Sequence, residues 1–263
     1  MTNDHVVVSA DGTRIAAGRE GSGPPVVLVH GAIGDRTSFR LLAPLLAARF
    51  EVLTVDRRGH GASGDSGGAY AIEQEFADVA EVVDSLAEPA TVVGHSFGAT
   101  VALGAAALTA RIRALVLYEP SPGIQAASPG LLACLDDLIA RDQREDALAL
   151  ALTEFAGFGP DDLEAYRASP LWAPRVAAAH TIPREVRAEE DYLPDWASFA
   201  TVNARVLYVL GSASPEWARR GAELIASLVP RSRTAVLEGQ GHMATVTAPE
   251  LLAAEITRFV EGP

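Results

Sequence analysis

The chemistry in this sequence gathers first on Gly94-His95-Ser96-Phe97-Gly98, a serine with a glycine two residues to either side. The apolar run Ala90-Thr91-Val92-Val93 leads straight into it and a small-residue segment follows, which puts the serine on a sharp strand-to-helix turn. Glycines are required at such a turn because the backbone is strained and the helix packs close to the strand. A hydroxyl exposed in this way becomes a nucleophile when a base removes its proton, and the helix N-terminus offers the Phe97 amide to a developing oxyanion. By composition alone the pentapeptide arises in about one chain in ten of this length, so its placement is more informative than its letters.

A base must reach to about 3 Å from the hydroxyl. The six histidines are His5, His30, His60, His95, His180 and His242. His95 adjoins the serine, but neighbouring side chains on an extended segment point to opposite sides, which argues against it. His242 stands in the Gly-rich stretch Glu238-Gly239-Gln240-Gly241-His242 after the last predicted strand, a loop able to swing over a serine at a strand end. The expected pair is therefore Ser96 and His242.

The elements that must position them alternate along the chain. Val6 to Ser9 and Arg14 to Ala17 read as strands joined by a tight turn at Asp11-Gly12-Thr13. Val26 to Val29, Val52 to Val55, Ala90 to Val93, Ala114 to Leu117, Arg205 to Leu210 and Arg233 to Leu237 read as further strands. Helical patterns over Ser38 to Ala48, Ile72 to Leu86, Gly98 to Thr109, Pro215 to Leu228 and Pro249 to Val260 separate or follow them, the rhythm of parallel βαβ units. The rhythm breaks at Pro120-Ser121-Pro122. From about 122 to 200 the pattern is helical (Leu131 to Ala140, Glu145 to Phe155) and interrupted by prolines, and it is too long to be a structureless loop. The predicted organisation is an α/β core over 1–121 and 200–263, with a helical cap inserted over 122–199. That insertion holds 14 acidic and 6 basic residues, a net of −8 out of the −13 of the whole chain.

At 263 residues with 49% apolar and 21% charged residues, the chain can bury a sizeable core. Its negative charge opposes nucleic-acid binding. All 21 basic residues are arginine, which rules out a lysine nucleophile or Schiff base. One cysteine, Cys134, excludes an internal disulfide framework and a cysteine metal cluster, and reads as a small buried apolar residue. No apolar run approaches the length of a membrane span and the first residues lack a leader pattern, so a cytoplasmic protein with no membrane partner is expected. Self-association as a homodimer is left open.

Taken in order, His30-Gly31, Asp56-Arg57-Arg58-Gly59-His60-Gly61-Ala62-Ser63, Gly94 to Gly98 and Gly241-His242 resemble the α/β-hydrolase superfamily over essentially the whole chain. The resemblance implies a mostly parallel eight-stranded sheet with helices on both faces and a helical cap inserted after strand 6. It also implies an oxyanion hole from the backbone N–H groups of Ala32 and Phe97, and structural roles for His30 and for the Asp56–Ser63 segment. Relatives usually carry an aspartate after the seventh strand, where this chain has Gly211-Ser212-Ala213-Ser214. A serine cannot stabilise an imidazolium as a carboxylate does. Some relatives place the acid at the end of the sixth strand, and here Glu119 occupies that strand end, with Glu216 and Asp195 as alternatives and an incomplete triad as a further one.

The function these readings imply is a serine hydrolase that forms an acyl-enzyme through Ser96, His242 and Glu119, with no metal or organic cofactor. Its expected substrate is a small neutral hydrophobic carboxylic ester or lactone, because an acidic lid disfavours polyanions. Phe155, Trp172 and Trp196, with Phe158, Tyr166, Tyr192 and Phe199, are candidate pocket aromatics. The alternatives are a lyase or cyclase using Ser96 and His242 as an acid–base pair, and a ligand-binding protein without catalysis.

Overall fold

The computed structural model of the protein describes residues 3–120, 130–192, 202–229 and 232–262. Eight strands form one sheet in the order β1-β2-β4-β3-β5-β6-β7-β8, with β1 Asn3–Val8, β2 Arg14–Gly21, β3 Pro25–Val29 and β4 Glu51–Val55, followed by β5 Ala90–His95, β6 Ile112–Tyr118, β7 Arg205–Gly211 and β8 Arg233–Leu237. β2 runs antiparallel to β1 and β4, and every pairing from β4 to β8 is parallel. The sheet is thus eight-stranded and mostly parallel, as the alternation of elements predicts. A parallel arrangement puts the carboxyl ends of β3, β5, β6 and β7 on one edge, where ligands of open α/β sheets bind.

Alternate residues of the central strands feed two separate cores, one on each face. Val27, Val29, Val92, Leu115 and Tyr208 pack with α2 (Ile72–Asp84), α3 (Phe97–Ala105) and α9 (Glu216–Leu228). Val26, Leu28, Val93, Val116 and Val209 pack with α1 (Ala43–Ala47) and α10 (Pro249–Glu261). Each helix supplies the matching stripe, for instance Ile72, Phe76, Val79 and Val83 on α2. The predicted helix over Ser38 to Ala48 is instead a 3₁₀ turn, Arg36–Phe39, followed by the short α1. Pro44 lies in the first turn of α1, the one place where a helix tolerates its missing N–H, so the helix cannot extend upstream through it. Among the described residues no helix is long and apolar enough to cross a membrane.

Between β6 and β7 the described residues form α4 (Leu131–Ala140), α5 (Arg144–Ala156), α6 (Pro160–Arg167), α7 (Trp172–Ala178) and α8 (Ile182–Asp191). They share an apolar cluster of their own that includes Leu135, Leu148, Leu152, Trp172 and Ile182. The boundaries expected near 121 and 200 fall outside the described residues. Cys134 on α4 is exposed rather than buried. The cluster on this helix is made by Leu131 and Leu135.

These helices are tied to the sheet by charge rather than by grease alone. Arg57 and Glu185 on α8 are both essentially sealed from solvent, and Nη2 of Arg57 donates to Oε2 of Glu185 at 2.8 Å. Nη1 of Arg57 donates to Glu75 at 2.9 Å, the Tyr70 hydroxyl donates to the same Glu75 oxygen at 2.8 Å, and Nε2 of His60 meets Oε1 of Glu185 at 2.6 Å. Burial alone would raise the Glu185 carboxyl, but Arg57 and His60 overcome it and hold the group down at about 2. At Glu75 burial wins and the carboxyl is raised. Arg175 on α7 and Asp35 form a second buried pair at 2.5 Å.

Removing one partner of such a pair leaves the other charge buried and uncompensated, at a cost of about 3–5 kcal/mol. Glu185→Ala is therefore expected to lower the unfolding free energy by about that amount in urea titrations near neutral pH. Because the folded carboxyl titrates below its ordinary value, this contribution is complete above about pH 4.5 and disappears as the pH falls toward 2. A variant as stable as the parent at neutral pH would contradict the account.

Candidate active site

Ser96 begins where β5 ends, and its backbone is what exposes it. With φ 55° and ψ −126° it leaves the extended conformation in a single residue, a strained geometry for a side chain with a Cβ. The flanking glycines permit the turn by close approach. A Cβ on Gly94 would sit 2.3 Å from the Gly98 carbonyl, and one on Gly98 would sit 2.3 Å from that of Val29. The Ser96 amide donates to the Tyr118 carbonyl at 2.8 Å, which holds the turn to the end of β6.

The first residue after β6 is Glu119, fully buried and likewise at a positive φ of 48°. One carboxylate oxygen accepts the Gly211 amide at 2.7 Å, and the other meets Nδ1 of His242 at 2.6 Å. A carboxylate can only accept, so Nδ1 carries the proton and Nε2 keeps its lone pair. The alternatives differ in placement: Glu216 is exposed in the first turn of α9, and Asp195 lies outside the described residues. Ser214 is buried, with no hydrogen-bond partner for its hydroxyl among the described residues.

Ser96 and His242 line a single cavity of about 590 Å³ together with Gly31, Ala32 and His95. A Cβ on Gly31 would lie 3.0 Å from that of Ser96, so the loop carrying Ala32 runs directly against the serine. Phe97 is the first residue of α3, where helix amides have no partner within the helix, and its side chain is buried in the core. His30 secures this loop from below: its Nδ1 contacts the Gly31 carbonyl at 2.9 Å and its Nε2 accepts the Arg57 amide at 3.1 Å. Asp56 accepts the Arg36 amide at 2.8 Å and the Ala62 amide at 2.9 Å, so the Asp56–Ser63 segment is a hydrogen-bonded turn.

His95 does reach the cavity, contrary to the alternation argument, because the turn at Ser96 ends the extended geometry on which that argument rests. Its Nε2 lies 2.8 Å from the His242 carbonyl and its ring centroid 4.7 Å from that of His242. Burial, reinforced by His242 nearby, lowers the imidazole to about 3, so it remains neutral. Two other residues that hold His242 have no signal in the sequence. The Tyr118 hydroxyl donates to the Gly241 carbonyl and accepts the Ala244 amide at 3.0 Å, and the Trp217 ring stands perpendicular to the imidazole at 5.2 Å.

Of the expected aromatics, Phe155, Phe158 and Tyr166 line the cavity. Trp172 does not: it packs among α5 and α7 residues, with Tyr166 against its ring at 6.3 Å, because the apolar face of a short helix is used up by its own cluster. Tyr192 packs on Phe76 instead, and Trp196 and Phe199 lie outside the described residues. Arg40, Ser38 and Arg175 also border the cavity and were not among the expected residues.

A family model described as "Alpha/beta hydrolase family" matches residues 26–255. The chain is 27% identical over 259 residues to a 2-(acetamidomethylene)succinate hydrolase of Mesorhizobium japonicum, covering 92% of this chain and 90% of that protein. It is 29% identical over 248 residues to a pimeloyl-(acyl-carrier protein) methyl ester esterase of Edwardsiella ictaluri, covering 90% and 93%. The crystal structure of an alpha/beta hydrolase from Sphaerobacter thermophilus superposes with a TM-score of 0.86 at 38% identity, covering 97% of this chain and all of that one.

An imidazole that stays neutral to about pH 3 when folded takes up a proton near its ordinary 6.5 once unfolded. Between those values the unfolded chain binds more protons, so acidification across this window removes stability. His95→Asn, which can still donate to the His242 carbonyl, is expected to flatten the fall of the thermal midpoint between about pH 6.5 and 3. Equal slopes for both proteins would refute the buried neutral imidazole.

Proposed function

The chain belongs to the alpha/beta hydrolase family, and within it we propose a serine hydrolase that cleaves a small, largely hydrophobic carboxylic ester or lactone through an acyl-enzyme. The observation that carries this reading is the 2.6 Å contact of Glu119 with Nδ1 of His242, in a site where His242 and Ser96 share one cavity. That contact fixes the tautomer, so Nε2 is the base. His242 takes the Ser96 proton and the alkoxide attacks the carbonyl. The amides of Ala32 and Phe97 receive the oxyanion, each such donor being worth about 10²- to 10³-fold in rate. His242 then protonates the departing alkoxide. In the second half it deprotonates water, which attacks the acyl group and expels Ser96. Glu119 holds the imidazolium in orientation, the task a serine at 214 could not perform.

The helices between β6 and β7 act in this reading as a lid over the strand ends, and Phe155, Phe158 and Tyr166 contact the organic part of the substrate. Esterase and hydrolase activities of the full-length relatives are consistent with it.

A fluorophosphonate probe is expected to label Ser96, and short p-nitrophenyl esters to turn over, with both lost in Ser96→Ala. Absence of labelling in the parent protein would sink the proposal, and labelling without ester turnover would favour a lyase or cyclase. Glu119→Gln is expected to lower kcat by about 10³- to 10⁴-fold, since the neutral amide no longer selects the productive tautomer. Ser214→Ala should stay within a few-fold of the parent, and comparable small effects for both variants would remove Glu119 from the mechanism.

A further inference from the structure

The cavity beside Ser96 is walled mainly by apolar side chains such as Ile33, Leu152 and Phe155, and among the described residues three arginine or carboxylate side chains line it, Arg40, Asp162 and Arg175. Two of them are already engaged. Arg175 is 3% exposed, paired with Asp35 at 2.5 Å and donating to the Ser38 hydroxyl at 3.0 Å. Asp162 accepts the Gly159 amide at 3.1 Å, capping the start of α6. Arg40 has no ion pair and no side-chain hydrogen bond among the described residues, although the chain carries 34 acidic side chains against 21 arginines. Its backbone is fixed: the amide donates to the Thr37 carbonyl at 3.1 Å, and the preceding Phe39 is buried in the core.

Arg40 is exposed at the rim of this mainly apolar pocket, and a guanidinium so placed, with no partner of its own, can receive a carboxylate bidentately, the kind of polar group that sets orientation in such pockets. We propose that Arg40 binds a carboxylate on the substrate, at the end remote from the carbonyl that faces Ser96. The substrate is then a half-ester or carboxylate-bearing lactone of a short dicarboxylic acid. This inference rests on the hydrolase reading for which end of the substrate meets Ser96. The acidic balance over 122–199 points instead to a neutral substrate, but a segment's net charge does not say which charges face the cavity. Asp162, the carboxylate that lines the cavity among the described residues, is held by a helix cap, and Asp35 is held by Arg175.

Binding to the Ser96→Ala protein, read by ligand-observed NMR with monomethyl glutarate and its neutral counterpart dimethyl glutarate, separates charge recognition from turnover. The half-ester is expected to bind about 10-fold tighter, with the preference shrinking as salt is added. In Ser96→Ala/Arg40→Gln the preference should vanish while the diester binds as before, and Arg40→Lys should keep part of it. Equal affinity for the two esters, no saturable binding of the half-ester, or a preference that survives Arg40→Gln would overturn the proposal. Failure of fluorophosphonate labelling would instead strike the hydrolase reading and leave this comparison standing.

Discussion

The contact between Glu119 and His242 constrains almost everything around it. A carboxylate with no access to water is tolerable only when each oxygen has a donor, and here one donor is the Gly211 amide and the other the imidazole. Satisfying both requires the ends of β6 and β7 and the loop after β8 to converge on one point, over 123 residues of sequence separation. The parallel sheet makes that convergence possible, because its strands all end on the same edge. The Tyr118 hydroxyl and the His95 ring then hold the arriving loop by its backbone, so the imidazole orientation is set by packing rather than left to a mobile loop.

Strain collects at the same edge. Among the described residues, the non-glycine positions at positive φ are Ile33, Ser96, Glu119 and Asp142, and the first three lie at the cavity or directly behind it. Each costs on the order of 1 kcal/mol or more, which persists only where surrounding structure over-determines the conformation. At Ser96 that surrounding is the close approach of Gly94 and Gly98 to neighbouring backbone, so the glycines and the strained serine form one device.

A different economy governs the helices between β6 and β7. Their apolar cluster is internal, and their described attachments to the sheet include buried ion pairs, Glu185 with Arg57 and Arg175 with Asp35. Ion pairs of this kind contribute little net stability compared with apolar packing, but they are intolerant of misplacement, which favours a single seating over a sliding one. The Asp56–Ser63 segment has its place here: it supplies Arg57 and His60 to the seam.

Local pattern was sufficient for the alternating elements, the strand-to-helix turn at Ser96 and the loop carrying His242, because periodicity and glycine placement are properties of neighbouring residues. Helix ends and the break at Pro44 were less legible, since proline at a first turn and proline within a helix look alike until the start of the helix is known. Trp172 and Phe155 are both aromatic and both pack on the helical cluster, yet only Phe155 also reaches the cavity. Which way each turns depends on how helices pack, a matter of contacts between distant segments. The same reason separates Glu119 from Glu216: the sequence by itself offered Glu119 at the end of the sixth strand, with Glu216 and Asp195 as alternatives, as the acid for His242. Only the tertiary structure decided which oxygen lies 2.6 Å from the imidazole, because that distance is the sum of a sheet register, two turns and a loop path that no single stretch of chain contains.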